Sequence, residues 1–184
     1  MTHRRTILLA GAALAAGCTT TADPGKAAAK RKEIDAKVDK ALSDLYTASP
    51  PTRDLADAAH GVLVFPDVIT AGFVIGGSHG DGAMRKGTST LGYYSLNSAS
   101  VGLLAGAQSR TLYIFFMAAQ AMNKFNMSDG WTVGGDASVV MADAGAMARL
   151  DKANAPAVLA FVRDQKGLMA SYSLDGTKIS RLKL

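Results

Sequence analysis

Residues 61–82, GVLVFPDVITAGFVIGGSHGDG, decide the fold. Residues 62–65 are a short apolar run that Pro66 ends, and residues 71–75 are a second apolar run. Apolar runs of this length between glycine and proline predict buried strands. The glycine-rich residues 76–82 that follow predict a flexible hairpin tip.

The same pattern continues to the C-terminus, with one interruption. Residues 118–125 predict one or two helical turns, and Asp175–Gly176 predicts a type I′ hairpin turn between the last two strands. The other predicted strands are residues 91–96, 100–107, 111–117, 131–133, 137–141, 157–162, 168–174 and 178–182.

Glycine is unusually frequent between residues 72 and 106, where nine of 35 residues are glycine. Glycines inside strands mark bulges, bends or close backbone approach. The chain therefore predicts an α+β fold, in which N-terminal helices precede a strongly curved, mostly antiparallel, glycine-rich sheet that is barrel-like or sandwich-like. Gly102, Ala105, Gly106 and Ala107 predict a smooth face, which either packs tightly against another sheet or admits an acyl chain.

Residues 26–48 predict a basic amphipathic helix. Ile34, Val38, Leu42 and Leu45 recur at helical spacing, and Ser49 with two prolines ends the segment. Two uses of this helix are open. Its apolar stripe packs on the domain with the cations solvated, or the stripe lies on a membrane with the cations near anionic headgroups. We expect a combination, in which the stripe is docked and the first cations touch lipid.

The positive charge of the chain is local. The 184 residues have a formal charge of +5, but the chain after residue 40 is nearly neutral, which argues against a nucleic-acid partner. The predicted headgroup contacts are the six cations of the helix, Lys26, Lys30, Arg31, Lys32, Lys37 and Lys40.

The N-terminus has the layout of a bacterial lipoprotein signal. Arg4 and Arg5 precede an uncharged run of about a dozen residues, too short to span a bilayer, which ends at Gly17 and Cys18. Residues 1–17 are thus predicted to be a signal peptide, and Cys18 is predicted to carry acyl chains such as palmitate at the head of a tether, residues 18–25. An ordinary cleaved signal is the alternative. We expect an exported, lipid-anchored protein, on the outer membrane facing the periplasm, with Sec or twin-arginine export both open.

Catalytic motifs are tested and rejected. Gly77 and Gly82 have the outer spacing of a phosphate loop, but the lysine that must follow is missing, which excludes a nucleotide site. Ser78, His79 and Asp81 are nearly consecutive, so their side chains cannot form a relay. No spacing of ligands predicts a metal, and no cofactor or catalytic residue is expected.

Several short motifs together resemble the SYLF domain, also called the Ysc84-like lipid-binding domain, in its bacterial lipoprotein branch. They are residues 59–66 (AHGVLVFP), 71–77 (AGFVIGG) with Gly80 and Gly82, 101–102 (VG), 106–108 (GAQ), 133–138 (VGGDAS), 166–169 (KGLM) and 174–176 (LDG).

The resemblance implies a non-enzymatic module, residues 52–184, that binds phospholipids partly through an N-terminal amphipathic helix. The expected partner is the anionic surface of a phospholipid membrane. The alternative is an envelope scaffold or adaptor that binds a protein partner.

Overall fold

The computed structural model describes residues 23–72, 75–101, 106–136, 138–143, 146, 149–150, 153–164, 167–169, 174 and 176–184. The predicted signal peptide and Cys18 lie outside these residues. No helix within the described ranges is long and apolar enough to cross a membrane.

The described ranges contain three helices with defined bounds. The first, α1 (Pro24–Ala48), begins where the Asp23 carboxylate accepts a hydrogen bond of 2.9 Å from the Gly25 amide, and Pro24 occupies the first turn, where a missing N–H costs nothing. It corresponds to the helix predicted over residues 26–48. The others are α2 (Pro51–Ala58) and α3 (Ala119–Met127). Thr52 lies inside α2 and donates a hydrogen bond to the Ser49 carbonyl.

The nine described strands form one open sheet, strongly curled into a half-barrel, so the α+β prediction is confirmed. Its order is β5-β9-β3-β2-β1-β4-β7-β6, and β8 also pairs with β7. Only the pairing of β6 with β7 is parallel among them. The strands are β1 (Gly61–Gly72), β2 (Ile75–Lys86), β3 (Ser89–Val101), β4 (Gly106–Phe116), β5 (Trp131–Thr132), β6 (Val140–Met141), β7 (Val158–Asp164), β8 (Gly167–Met169) and β9 (Lys178–Arg181).

Alternate residues of the central strands enter two separate apolar layers. On the outer face, Val64, Tyr113 and Phe161 pack with the buried stripe of α1 and with α2. On the inner face, Phe65 and Phe116 pack with α3 and Trp131. The sheet is therefore buried on both faces near its middle.

Pro66 does not end a strand, contrary to the prediction. β1 runs through it, and the register of β1 with both neighbours shifts between Val64 and Ile69. This bulge accommodates a residue that cannot donate to the ladder. The run predicted over residues 71–75 is likewise split between the end of β1 and the start of β2.

The hairpin tip predicted over residues 76–82 is also wrong, because these residues form the first half of β2. Their glycines allow close approach instead of a turn. A Cβ at Gly80 would lie 3.0 Å from the Asp67 carbonyl oxygen, and one at Gly82 would collide with the Val64 carbonyl oxygen. The turn between β2 and β3 contains Gly87, whose φ is +57°.

Two later predictions are corrected as well. Residues 108–110 lie within β4 and do not separate two strands. The last two strands are not a hairpin, since β8 pairs with β7 while β9 pairs with β3 and β5. Gly176 does have a positive φ of 75°, as a turn requires.

Candidate functional site

The apolar stripe of α1 is docked on the outer face of the sheet. Ile34, Val38 and Leu45 are 3%, 0% and 0% exposed, in contact with residues of β1, β2 and β4. Tyr113 of β4 adds a hydrogen bond of 2.9 Å from its hydroxyl to the Ala41 carbonyl. With α1 docked in this way, the stripe is not available to a membrane, and only the remaining faces of the helix can be.

A buried arginine holds one flank of α1. Arg85 of β2 has a side chain that is 7% exposed, and its guanidinium lies 3.2 Å from Asp35 and 2.7 Å from Asp39. Thr90 and Tyr93 of β3 donate to the same Asp35 carboxylate at 3.0 and 2.8 Å. Burial, helped by this carboxylate, raises the pKa of the Tyr93 hydroxyl.

Sequence reasoning missed this cluster. Asp35 and Asp39 are one helical turn apart and directly follow Ile34 and Val38, so they border the apolar stripe. Acidic residues in that position on a basic helix indicate a cation in the surface beneath. The identity of that cation was not predictable, since Arg85 is about 50 residues away in the chain.

On the opposite flank of α1, two of the lysines predicted to contact headgroups form ion pairs with the sheet instead. Lys30 lies 3.0 Å from Asp81 of β2, and Lys37 lies 3.1 Å from Asp67 of β1. Lys37 also pairs with Glu33 at 3.0 Å, and this hydrogen bond lowers the pKa of Glu33 and raises that of Lys37. Both lysines thus have acidic partners within the protein.

Two more of the six cations have partners. Lys40 pairs with Asp44 at 2.7 Å, one turn along the helix. Arg31 donates to the main-chain oxygen of Leu184, which joins α1 to the C-terminus. Lys26 and Lys32 are exposed and have no ion-pair partner in the described part of the chain. The six cations therefore do not form one surface.

The structure separates Ser78 from His79 and Asp81, the three residues rejected from the sequence as a catalytic relay. Ser78 faces the inner side of the sheet and shares a 2.8 Å hydrogen bond with Thr70, while His79 and Asp81 face the outer side. The His79 ring lies 2.9 Å from the Asn97 side chain and 3.7 Å from the Asp81 carboxylate. Ser78 and His79 therefore cannot act together as nucleophile and base. No three metal-binding side chains cluster among the residues described.

A comparison with models of protein families finds a match in the second half of the chain. Residues 97–183, just under half of the chain, match the model of the Ysc84 family, described as "Las17-binding protein actin regulator". The matched segment runs from the end of β3 through β9 and includes the motifs at residues 106–108 and 133–138. The curated proteins contain no match to this chain. Residues 97–183 are thus similar to the Ysc84, or SYLF, domain family, the family that the sequence motifs resemble.

Proposed function

We propose that this protein is a membrane-surface binding module without enzymatic activity, tethered by acyl chains on Cys18 and touching anionic headgroups with the first turns of α1. The protein is exported and lies on the periplasmic face of the outer membrane. The family match supports a binding role, because its description names binding and regulation and no reaction.

One observation carries the headgroup proposal. Lys26 and Lys32 are exposed and lack ion-pair partners within the described ranges, whereas Lys30, Lys37 and Lys40 have carboxylate partners. A cation with a carboxylate partner gains less from a lipid phosphate, because it must give up or share that partner. Headgroup contact therefore falls mainly to Lys26 and Lys32.

The distance along the chain supports the same assignment. Pro24 is six residue steps from Cys18, and an extended chain of that length reaches about 20 Å. Lys32 is about 12 Å further along the helix axis, and Lys40 about 24 Å. An acylated Cys18 would thus keep the unpaired cations nearer to the bilayer than Lys37 and Lys40.

Vesicle sedimentation tests the assignment. A chain starting at Thr19 is mixed with vesicles of phosphatidylglycerol and phosphatidylcholine, and the double variant K26Q/K32Q is compared with K37Q/K40Q. Each variant loses two positive charges. Because a cation at an anionic surface contributes about 1 kcal/mol, we expect K26Q/K32Q to bind about thirtyfold more weakly, and K37Q/K40Q to change little.

Equal weakening of the two variants would show that net charge matters and position does not. Unchanged binding of K26Q/K32Q would reject the headgroup role. The anchor needs a separate measurement, which is the intact mass of the natural product: a free thiol at Cys18 in a protein that stays in the aqueous phase would overturn the tether.

A protein partner is the second candidate function. The family description supports it, since it names a protein, Las17, as a binding partner. In this case the module is an envelope scaffold and its basic helix is a spacer. A stoichiometric protein partner recovered from detergent extract, together with no preference for any lipid, would favour the scaffold.

A further inference from the structure

Four central strands project beyond the rest of the sheet. Among the described residues, β9 pairs with β3 over residues 94–97, and β7 pairs with β4 over residues 111–116. Beyond these points, β3, β2, β1 and β4 continue without a further described strand at either edge, paired in register as far as Gly72 with Gly106 and Ile75 with Val101. We call this part, residues 69–72, 75–79, 97–101 and 106–109, the projection.

The projection has no Asp, Glu, Lys or Arg in a chain of which 19% is charged. No other described element covers its outer face. Ile69 is 54% exposed there, and Ala71, Gly77, Ala99 and Ala107 are exposed beside or beyond it. The polar residues of this face, His79, Asn97 and Ser109, are exposed nearer to its base.

Charges resume abruptly at the base of the projection. Asp67, Asp81 and Arg110 lie there, and Lys37 and Lys30 of α1 reach down to the two aspartates. Gly72 is five residue steps along β1 from Asp67, which corresponds to about 16 Å. One end of the molecule thus has no Asp, Glu, Lys or Arg side chain in its described strands. The nearest charged residues, at the base of the projection, are largely paired with residues of opposite charge.

We infer that the outer face of this uncharged end is a second membrane contact, which enters the boundary between headgroups and acyl chains of a phospholipid bilayer. The inference rests on the proposed function, which brings the protein to a bilayer. It adds a hydrophobic contact, on a different part of the molecule, to the electrostatic contact of α1.

The backbone of the projection suits this environment. β1 and β2 are hydrogen-bonded on both sides to their ends, so their peptide groups do not need water. In the projection, the outer edges of β3 and β4 have no strand partner among the described residues. Contact is therefore expected at the boundary, where water remains, and not in the bilayer centre.

The depth is consistent with both contacts. Surface-bound elements enter the boundary by about 5–10 Å. With 16 Å between the end of the projection and the level of α1, the helix would then lie about 10 Å above the boundary, comparable with the Debye length at physiological salt. The tether from Cys18 to Pro24, about 20 Å when extended, can span that gap.

A tryptophan placed on the projection tests the contact directly. Trp131, the only tryptophan, is 1% exposed and gives a constant background. I69W is compared with L91W, since Leu91 is 47% exposed but lies near the other end of β3. Vesicles of phosphatidylglycerol and phosphatidylcholine with acyl chains brominated near the carbonyl end serve as the quencher.

We expect brominated vesicles to quench the new tryptophan of I69W and to shift its emission to the blue, and to leave that of L91W unchanged. I69S should bind vesicles about fivefold more weakly than L91S, and the difference should persist in 1 M salt, because screening does not weaken a hydrophobic contact.

The outcomes separate the two proposals. If vesicles bind the chain through Lys26 and Lys32 but quench neither tryptophan, the projection is not a membrane contact and the proposed function stands. If the blue shift of I69W occurs without lipid and grows with protein concentration, the projection contacts a second copy and the inference is wrong. If wild type binds no vesicle at all, both proposals fail.

Discussion

Arg85 shows how one residue can decide where a helix lies. Its guanidinium is nearly fully buried, and its Nε has no hydrogen-bond partner, so burial has a cost that Asp35 and Asp39 must offset. Both carboxylates come from α1 and remain partly in water, at 31% and 68% exposed. The arginine therefore selects one position of α1 on the sheet instead of contributing much net stability.

Replacement of Arg85 by methionine should lower the free energy of unfolding by about 2 kcal/mol, measured by urea denaturation. This is less than the 3–5 kcal/mol typical of a broken buried pair, because the two aspartates can be rehydrated. K40M removes an exposed cation from α1 and should change stability little. Equal losses in R85M and K40M would show that burial of the arginine has no special role.

Two glycines of β2 allow a matched test of close packing. An added Cβ at Gly82 meets the Val64 carbonyl oxygen and lies 2.7 Å from Cδ1 of Phe65, whereas at Gly77 the nearest atom is 3.5 Å away. G82A should cost about 3 kcal/mol or more of stability, and G77A should be neutral or slightly stabilising. Similar thermal midpoints for the two variants would contradict the close approach of β1 and β2.

At this scale, the sequence predicts residue types better than residue partners. The six cations and the apolar stripe of α1 follow from spacing alone. That Lys30, Lys37 and Arg31 also have partners depends on Asp81, Asp67 and Leu184, which are distant in the chain. Sequence periodicity contains no information about such contacts.

At the scale of elements, α1 is joined to the sheet by a buried hydroxyl as well as by its stripe. Tyr113 is 1% exposed, its hydroxyl donates to Ala41, and burial raises its pKa to about 12. In the unfolded chain a tyrosine ionises near pH 10. The folded state therefore disfavours the tyrosinate between these two values.

Ionisation of Tyr113 should consequently not affect the free energy of unfolding below pH 10. It should lower this free energy as the pH rises from 10 towards 12. A shift of about two pKa units corresponds to a loss of about 2–3 kcal/mol at the top of this range. Y113F should be less stable than wild type by about 1 kcal/mol at pH 7, yet lose less stability above pH 10. Parallel curves for the two proteins would exclude Tyr113 as the group responsible.

The sequence predicts the presence of elements better than their ends. The helix at residues 26–48 and the fold class are confirmed, but a proline and a group of glycines wrongly predict interruptions. In the structure, Pro66 sits in a bulge of β1, and Gly80 and Gly82 face that bulge from β2. The glycines of β2 are explained by the bulge that they face, and this contact exists only because β1 and β2 pair. The sequence of either segment alone does not show that pairing.

For the whole molecule, the arrangement of two apolar layers on one sheet has a consequence for unfolding. Neighbouring residues of β1 and β4 enter opposite layers, for example Val64 and Tyr113 the outer one and Phe65 and Phe116 the inner one. A strand cannot leave one layer and stay in the other. The two layers, and α1 with them, should therefore unfold in a single cooperative step.

Trp131 reports on this cooperativity, because it is buried in the inner layer, on the opposite face of the sheet from α1. We expect L45A, which truncates a fully buried side chain of the outer layer, to lower stability by about 3 kcal/mol and to shift the Trp131 fluorescence transition and the helical circular dichroism transition equally. The control is M127A, since Met127 is 86% exposed on α3 and its truncation should leave both transitions in place.

An earlier loss of helical signal in L45A, with Trp131 unaffected, would mean that α1 can detach while the sheet remains folded. In that case its apolar stripe would become available to a membrane, and the proposal that headgroup contact falls mainly to Lys26 and Lys32 would have to be abandoned.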